Sequence, residues 1–404
     1  MAWEQHLESV LAESVQQACE RERAAFDSAA DKHAGSVVLY GAGNLGRQTL
    51  RGLRTHGTEP LAFADANPQL WDSQVEGVRV FSPDSAVARF GSSAIFVVCI
   101  WHPVREGGVR SVVNHLRALG AQRVVPFPVL FWNHPETWLP YYFWDLPSRL
   151  VAERSAVMNA AASFSNDASR DAFVRHVRAR MNGDFSCLPS PDNEPTYFPR
   201  DLFELIPDEC FVDCGAFDGD TIREFVGQNG GEFRRIIAFE PDSQSLRALH
   251  ATALGQDLRD RTVVHPYVLG TEAGKARFNS SGLVVSAVCE EGGVEVERVA
   301  LDECVRDEAP TFIKMDIEGS EIPALQGARK TIQEFEPVLA ICVYHRPADL
   351  WRVPLLIRDI VPDYSFFLRM YWMDGFDTVC YAVPPHRLAT RHRLGAQTVG
   401  KILR

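Results

Sequence analysis

The chain has 404 residues, of which 46% are hydrophobic and 23% charged, so it is long enough for two domains with sizeable cores. The net charge of −12 argues against sequence-independent binding to nucleic acid, which needs a basic surface that displaces counterions from phosphates. The nine cysteines contain no C-x-x-C pair and predict reduced thiols in a cytoplasmic protein, and no apolar run has the length of a transmembrane segment.

The N-terminal part predicts a helix followed by a first α/β domain. Residues 1–34 have the pattern of a charged amphipathic helix. The segments "SVVLYGAGNLGRQTL", "EPLAFADANP", "SAIFVVCIW" and "AQRVVPF" then predict strands separated by helical stretches. Because strands that alternate with helices are typical of a parallel sheet, we predict a Rossmann-like domain of the nucleotide-binding type over residues 35–128.

The turn "GAGNLG" of this domain has the spacing of a dinucleotide-binding loop. Gly41, Gly43 and Gly46 follow a predicted strand and open a helix, and Asp65 comes about 20 residues later, where an acid holds a ribose. No residues downstream supply hydride-transfer chemistry. Three interpretations stay open: a site for a nucleotide, such as the handle of a nucleotide-linked sugar; a structural NAD site; or a binding fold retained for packing or dimerisation.

The remaining chain predicts a linking region and a second α/β domain. Residues 129–200 are aromatic, helical and finally proline-rich, and we predict that they link the domains and pack over the second site. Residues 201–404 resume the alternation, and the residues between "YSFFLRMYW" and "DTVCYAVP" leave room only for a hairpin. The predicted fold class is α/β with two Rossmann-like domains, the second a mostly parallel sheet with an antiparallel last strand. Residues 270–300 predict an insertion or hairpin near the site.

The segment "FVDCGAFDGDTIREF" predicts a strand that ends in an acidic glycine loop. Ligands bind at this end of a parallel strand, and Gly215 and Gly219 let backbone approach a ligand closely. The helix from Thr221 offers free N–H groups, and Glu240 ends the next strand, where an acid can grip a ribose diol. A ligand with a carboxylate, a ribose and a positive charge fits this set, and S-adenosylmethionine has all three. An ordinary Rossmann turn with solvated acids is the alternative.

Two further segments supply candidate catalytic side chains. In "TFIKMDIEGSE", Lys314, Asp316 and Glu318 alternate and would share one face of a strand. The strand "PVLAICVYH" ends in His345, and histidine is the usual general base near neutral pH. Glu321 is interpreted as a solvated acid in the first turn of a helix.

The blocks "FVDCGAFDGDT", "IIAFEPD", "VALDE", "FIKMDIEGSEIPALQGA" and "PVLAICVYH" occur in an order and at spacings that resemble the FkbM-type methyltransferases, over roughly residues 140–385. The resemblance implies a class I fold that uses S-adenosylmethionine and methylates a hydroxyl oxygen on a sugar or hydroxylated natural product. It implies that the cofactor is held by Asp213, Gly215, Ala216, Gly219, Asp220, Thr221, Glu240, backbone near Val268, and Asp316. Asp316, Glu318 and His345 would face the acceptor. The chain departs from the family at Cys342, where a glutamate is frequent.

These observations predict a methyltransferase that acts on a small-molecule or saccharide acceptor. His345 would be the base, assisted by Asp316, without a metal; the alternative is a divalent cation on Asp316, Glu318 and His345 that acidifies the hydroxyl. An NAD(P)-dependent oxidoreductase centred on "GAGNLG" is the alternative function. Tyr197 and Phe198 either cover the cofactor or lie in the core, and the sequence leaves a homo-oligomer open.

Overall fold

The computed structural model of the chain describes residues 2–253, 255, 258–279, 287–289 and 293–390. It begins with two helices, α1 (Ala2–Val10) and α2 (Val15–Ala30). The prediction of one continuous helix over residues 1–34 is therefore wrong. The break is stabilised by a capping box: Ser14 Oγ accepts from the N–H of Gln17, and the Gln17 side chain accepts from the N–H of Ser14. These bonds satisfy N–H groups that a helix start leaves unpaired.

The first sheet has six strands among the described residues, in the order β3-β4-β2-β1-β5-β6. All neighbouring strands are parallel except β3 and β4. Its strands are β1 (Val37–Tyr40), β2 (Ala62–Ala64), β3 (Gln74–Val75), β4 (Val78–Phe81), β5 (Ile95–Val98) and β6 (Val124–Pro126), and its helices are α3 (Asn44–Thr55), α4 (Pro83–Phe90) and α5 (Gly108–Ala118). The strand order reverses between β1 and β5, so the "GAGNLG" loop lies at the switch point of this sheet.

Short helices connect the first sheet to the second. They are α6 (Phe127–Phe131), α7 (Pro135–Trp138), α8 (Pro147–Ala152), α9 (Arg154–Ser163) and α10 (Asp167–Asn182). The aromatic side chains of this region are buried: Phe131, Phe143 and Trp144 are at most 1% exposed. A proline-rich stretch then leads past Tyr197 to the second sheet.

The second sheet has seven strands in the described part of the chain, in the order β16-β17-β15-β14-β7-β8-β9. Its strands are β7 (Cys210–Cys214), β8 (Arg235–Phe239), β9 (Thr262–His265), β14 (Phe312–Met315), β15 (Val338–Cys342), β16 (Ser365–Met370) and β17 (Thr378–Val383). Only β17 runs antiparallel to its neighbours, β15 and β16. The predicted fold class is confirmed. The strand order reverses between β7 and β14, which are adjacent and parallel, so the loops after these two strands meet.

Helices pack on both faces of the second sheet, and a small sheet is inserted after β9. The helices are α11 (Asp220–Gln228), α12 (Ser243–Ala253), α13 (Leu301–Cys304), α14 (Glu321–Gln326), α15 (Arg329–Phe335) and α16 (Asp349–Ile360). The small sheet contains β10 (Val268–Leu269), β11 (Gly274–Asn279), β12 (Ala287–Cys289) and β13 (Val294–Val299), in the order β10-β13-β11-β12. It occupies the predicted insertion; residues 280–286, 290–292 and 391–404 lie outside the described residues.

Contacts between the loop after β5 and the β16–β17 hairpin join the two sheets. Trp101 stacks on Phe376 with ring centroids 4.2 Å apart, and Trp101 Nε1 donates to the carbonyl oxygen of Asp374 at 3.0 Å. The Asp374 carboxylate accepts from the N–H of Val109 at 2.9 Å, in the first turn of α5. These contacts bring the residues after Trp101 close to the carboxyl ends of the second sheet. Among the described residues, no helix combines the length and the apolarity that a bilayer crossing needs.

Candidate active site at the strand ends of the second sheet

A cavity of about 590 Å³ opens at the carboxyl ends of β7, β8 and β14, and we call it the strand-end cavity. Seven residues predicted from the sequence line it: Gly215, Asp220, Thr221, Glu240, Val268, Asp316 and Glu318. Asp213, Ala216, Gly219 and His345 lie behind the lining. Pro103 and Arg105, from the loop after β5, complete one side. The first half of the chain thus contributes to the wall of a site in the second.

The glycine loop after β7 adopts a conformation that its glycines permit. Gly215 and Gly219 both have a φ of +83°, which side chains rarely tolerate. A Cβ atom on Gly215 would lie 1.9 Å from the carbonyl oxygen of Asp316, so the loops after β7 and β14 pack directly on each other. Gly219 is the N-cap of α11, which places Asp220 and Thr221 at the start of that helix and at the cavity wall.

The acidic loop is less negative than its sequence indicates. Asp213 is fully buried, and its Oδ1 lies 3.0 Å from Nζ of Lys314 on the neighbouring strand. Lys314 Nζ also donates to the carbonyl oxygen of Gly215 at 2.7 Å. Burial raises the pKa of Asp213 to about 6, although Lys314 acts in the opposite direction. Asp213 is therefore the counter-ion of the lysine that binds the loop, and Asp218 is paired with Arg223 at 3.0 Å.

Glu240 connects the turns that follow β7 and β8. Its two carboxylate oxygens accept from the N–H groups of Phe217 and Asp242 at 2.9 and 2.8 Å. Burial raises the pKa of Glu240 to about 7, while these two hydrogen bonds lower it. The side chain is fixed at the cavity wall and retains lone pairs for a hydroxyl donor.

His345 is the centre of a buried group that also contains Asp316, Glu318 and Glu321, which we call the acid–histidine cluster. Nδ1 of His345 donates to Oε1 of Glu321 at 2.8 Å, and Nε2 lies 3.2 Å from Oδ1 of Asp316 and 3.7 Å from Oε2 of Glu318. The interpretation of Glu321 as a solvated acid is wrong, because its side chain is fully buried. The first turn of α14 lies beside the end of β15, because β14 and β15 are neighbours in the sheet.

The cluster shifts the ionisation of its members in different directions. Burial lowers the pKa of His345, but Glu321, Asp316 and Glu318 outweigh it and hold that pKa well above its ordinary value. Burial raises the pKa of Asp316, but its contacts with His345 and Lys314 bring that pKa well below the ordinary value. Burial and the nearby Asp316 raise the pKa of Glu318 to about 8. These shifts favour a cationic His345 beside an ionised Asp316, and they favour a neutral Glu318 below about pH 8.

The predicted row of Lys314, Asp316 and Glu318 on one strand is only partly correct. Strand β14 ends at Met315, and Glu318 has a φ of +53°, within the turn before α14. The three side chains nevertheless line the same cavity, because the turn folds back over the strand end. Glu318 thus reaches the cavity through a turn and not through the alternation of a strand.

Tyr197 and Phe198 have different positions. The Tyr197 hydroxyl donates to Oδ2 of Asp316 at 2.8 Å and lies 3.5 Å from Sγ of Cys342. Its ring is part of the cavity wall. Phe198 packs among Phe211 and Phe312 in the core, with centroid distances of 5.9 and 5.6 Å. The proline-rich stretch therefore covers the site with one residue and anchors itself with the next.

Within the described part of the chain, two groups of side chains have donor atoms close enough to hold a metal ion. Asp316, Glu321 and His345 form one, and His56, His134 and Glu136 form the other at the surface of the first half of the chain. The predicted alternative of a cation on Asp316, Glu318 and His345 overlaps the first group. In the first group, Nδ1 of His345 is already engaged with Glu321.

The carboxylate of Asp65 stabilises the "GAGNLG" loop of the first sheet. Asp65 accepts from the N–H groups of Ala42 and Asn67 at 2.7 and 2.8 Å. A Cβ on Gly46 would lie 1.8 Å from the carbonyl oxygen of Gly41, so this glycine permits the close packing of α3 on the turn after β1. The motif has a structural role here, and the nucleotide site at Gly41, Gly43, Gly46 and Asp65 stays a prediction.

The comparisons with known proteins agree with the fold described above. The sequence model of the methyltransferase FkbM domain matches residues 213–370. The crystal structure of methyltransferase FkbM from Methylobacillus flagellatus KT has a similar fold: the TM-score is 0.73 at 23% identity, over 92% of this chain and 99% of that chain. No curated protein matches the chain.

Two other solved structures share smaller parts of the chain. Fibrillarin from Aeropyrum pernix, with natively bound S-adenosyl-L-methionine, is 15% identical over 45% of this chain and 70% of its own, with a TM-score of 0.28. RSP in complex with β-NADH is 18% identical over 22% of this chain and 44% of its own, with a TM-score of 0.19. These TM-scores are too low to define a common fold. The chain thus contains a region, residues 213–370, that matches the methyltransferase FkbM domain.

Proposed function

We propose that the chain is an S-adenosylmethionine-dependent O-methyltransferase that acts on a hydroxyl group of a sugar or another hydroxylated metabolite. The observation that carries this proposal is that one cavity is lined both by the glycine loop with Glu240 and by Asp316 and Glu318. A methyl donor and an acceptor can therefore lie side by side in a fixed orientation, which is the main requirement of a direct transfer.

The residues around the strand-end cavity fit S-adenosylmethionine. Its sulfonium and ammonium groups are cations, and the described lining is rich in carboxylates: Glu194, Asp220, Glu224, Glu240, Asp242, Asp316, Glu318 and Asp377. Glu240 stands at the end of β8, where an acid holds ribose hydroxyls. The first two N–H groups of α11 donate to the carboxylates of Asp218 and Asp220 at 3.0 and 2.7 Å, so the predicted free N–H groups at this helix start are already engaged. When bound, the cofactor supplies an electrophilic methyl group.

The acid–histidine cluster is placed to take the proton that an acceptor hydroxyl loses. His345 is protonated near neutral pH, because its pKa is held well above the ordinary value. The positive charge of His345 holds the side chains of Asp316 and Glu318 in place. Glu318 lines the cavity, and its pKa of about 8 makes it the stronger base of the two carboxylates. We assign proton acceptance to Glu318 and positioning to His345, which revises the predicted role of His345 as the base.

The acceptor side of the cavity has both aromatic and polar walls. Tyr344, Trp372 and Tyr197 present rings, and Asn193 and Arg105 present hydrogen-bond donors. Arg105 lies over the Trp372 ring, with its guanidinium carbon 4.8 Å from the centroid. Rings can pack on the C–H face of a sugar while polar groups bind its hydroxyls, so the lining supports a saccharide acceptor.

Calorimetric titration of S-adenosylhomocysteine into the full chain tests the proposal. The wild type is expected to bind in the micromolar range, and Glu240→Ala is expected to lose binding at least about tenfold, since a charge-assisted hydrogen bond contributes about 1.5–3 kcal/mol. Glu303→Ala is the control, because Glu303 is exposed and does not line the cavity. Equal binding by all three proteins would place the cofactor elsewhere.

The same titration separates this proposal from its alternative. NAD binding by the wild type, abolished by Asp65→Ala, together with no binding of S-adenosylhomocysteine, would favour an oxidoreductase centred on "GAGNLG". Because Glu240 accepts two backbone hydrogen bonds, Glu240→Gln is a second variant that keeps the shape of the side chain. Circular dichroism of each variant shows whether it is folded.

A further inference from the structure

A second cavity, of about 470 Å³, lies between the connecting helices and the start of α16. Its wall is mainly apolar, formed by side chains that include Phe143, Leu146, Pro147, Leu150, Ile322 and Trp351. None of its lining residues lines the strand-end cavity. We call it the arginine cavity, because arginines supply the cations of its wall.

Arg180 is the buried cation of the arginine cavity. It is 3% exposed and is one of the lining residues. Its Nη1 donates to the carbonyl oxygen of Pro347 at 2.6 Å, and its guanidinium carbon lies 4.8 Å from the centroid of the Phe143 ring. Nε is buried and has no hydrogen-bond partner, and no carboxylate oxygen of the described residues lies within 4.0 Å of the guanidinium.

A buried cation without an anion is unfavourable in a protein interior. Transfer of an ammonium or guanidinium group from water into low dielectric is costly unless a counter-charge and hydrogen bonds replace the water. Burial lowers the pKa of Arg180 to about 9, and Asp349 acts against this at longer range. Asp349 is a buried carboxyl of the same cavity wall, but it accepts from the N–H of Arg346 at 3.1 Å and makes no direct pair with Arg180.

The other arginines of the cavity are not in the same state. Arg149 is exposed and pairs with Asp145 at 2.9 Å. Arg352 is exposed and pairs with Glu153 at 2.8 Å. Arg346 is also exposed, and its Nε donates to the carbonyl oxygen of Gly319 at 2.8 Å. These contacts satisfy the arginines at the mouth, whereas Nε of the buried Arg180 has no partner.

We propose that the arginine cavity binds a small amphipathic carboxylate, with its carboxylate on Arg180 and its apolar body along the apolar wall. A carboxylate fits the planar donor set of a guanidinium, and one charge matches one buried cation. An inorganic phosphate dianion would bring a second charge that no buried cation neutralises, and it would leave the apolar wall without a contact. The site is independent of the proposed methyl transfer.

Calorimetric titration of octanoate into the full chain tests this proposal. We expect saturable binding by the wild type, and binding at least about tenfold weaker to Arg180→Met, which keeps much of the side-chain length and removes the charge. Arg306→Met is the matched control and is expected to bind as the wild type does, because Arg306 is exposed, pairs with Glu334 and does not line the cavity. Octan-1-ol and inorganic phosphate are comparison probes, and both are expected to bind more weakly.

Several results would overturn the proposal: no saturable binding of octanoate, equal binding by Arg180→Met, octan-1-ol binding as tight as octanoate, or phosphate binding tighter than octanoate. If Arg180→Met does not fold, Ala348→Phe fills the cavity without touching the charge and is expected to abolish octanoate binding. Retention of binding by that variant would also contradict the site. Titration of S-adenosylhomocysteine into the same variants keeps this result separate from the proposed function.

Discussion

Oε1 of Glu321 lies 2.8 Å from Nδ1 of His345, and both side chains are buried. The same oxygen accepts from the N–H of Ile317 at 3.0 Å, so the turn after β14 and the residue at the end of β15 are held together by one carboxylate. This contact fixes which nitrogen of His345 faces Asp316 and Glu318. It also contributes more than any other neighbour to the raised pKa of the imidazole.

Glu321→Gln is expected to lower the pKa of His345 by at least about one unit, because an opposite charge at this distance shifts a pKa by about 1–3 units. Glutamine keeps the shape and an acceptor oxygen for Nδ1. The measurement is a pH titration of ¹⁵N-histidine shifts by NMR, in which His345 is assigned by its absence in His345→Gln. Glu334→Gln is the control, because Glu334 pairs with Arg306 at the surface. An unchanged His345 titration in Glu321→Gln would show that the carboxylate does not set its charge.

Glu318 is expected to titrate near pH 8 and methyl transfer to rise with pH up to that value. A carboxyl group with a raised pKa is neutral below that pKa, so the basic form of Glu318 disappears as the pH falls. The ¹³C shift of its carboxyl carbon measures the midpoint of the titration. Below that midpoint, a plot of log kcat against pH, measured with a competent acceptor, should have a slope of about one. Glu318→Gln is expected to lose this limb, whereas Glu318→Asp keeps one. A midpoint below pH 5 would contradict the assignment of Glu318 as proton acceptor.

Lys314→Met is expected to lower the free energy of unfolding by about 3–5 kcal/mol, because it leaves the buried Asp213 without its counter-ion. Chemical denaturation followed by fluorescence measures this change. Lys275→Met is the matched control: Lys275 pairs with Glu295 at 2.5 Å, but both side chains are exposed. Water screens an exposed pair, so Lys275→Met is expected to change the free energy of unfolding far less than Lys314→Met. Similar losses in the two variants would mean that the Asp213 pair is not desolvated as the structure indicates.

Gly46→Ala is expected to lower the free energy of unfolding by about 1–3 kcal/mol, because the added Cβ meets the carbonyl oxygen of Gly41. Gly43→Ala lies in the same loop and serves as the control. Its Cβ would have no atom within 4 Å, and its φ of −77° suits any residue. Denaturation of both variants separates packing from ligand binding at this motif. A stable Gly46→Ala protein would refute the close helix–strand contact.

Several parts of this molecule followed from local sequence patterns. Alternating strands and helices predicted both parallel sheets, since buried strands and amphipathic helices leave a periodicity that does not depend on distant residues. The short connection from Met373 to Asp377 predicted a hairpin, and β16 and β17 form one. The glycine loop from Gly215 to Gly219 and the acid at Glu240 were also predicted from local patterns, because each directly follows a predicted strand. A glycine or an acid at the end of a predicted strand indicates a ligand-binding turn without reference to distant residues.

The state of the charged side chains was decided by the tertiary structure. Sequence placed Asp213 in an acidic loop, but the neighbouring strand brings Lys314 beneath it, and β7 and β14 are about 100 residues apart in the chain. The sequence predicted Glu321 to be a surface acid, but the pairing of β14 with β15 places the start of α14 beside the end of β15 and buries it. Arg180 shows nothing unusual in its helix, and its lack of an anion follows only from the packing of α10 against the residues after His345. Burial and partners across the fold determine the energy of a charge, and neither is written in the local sequence.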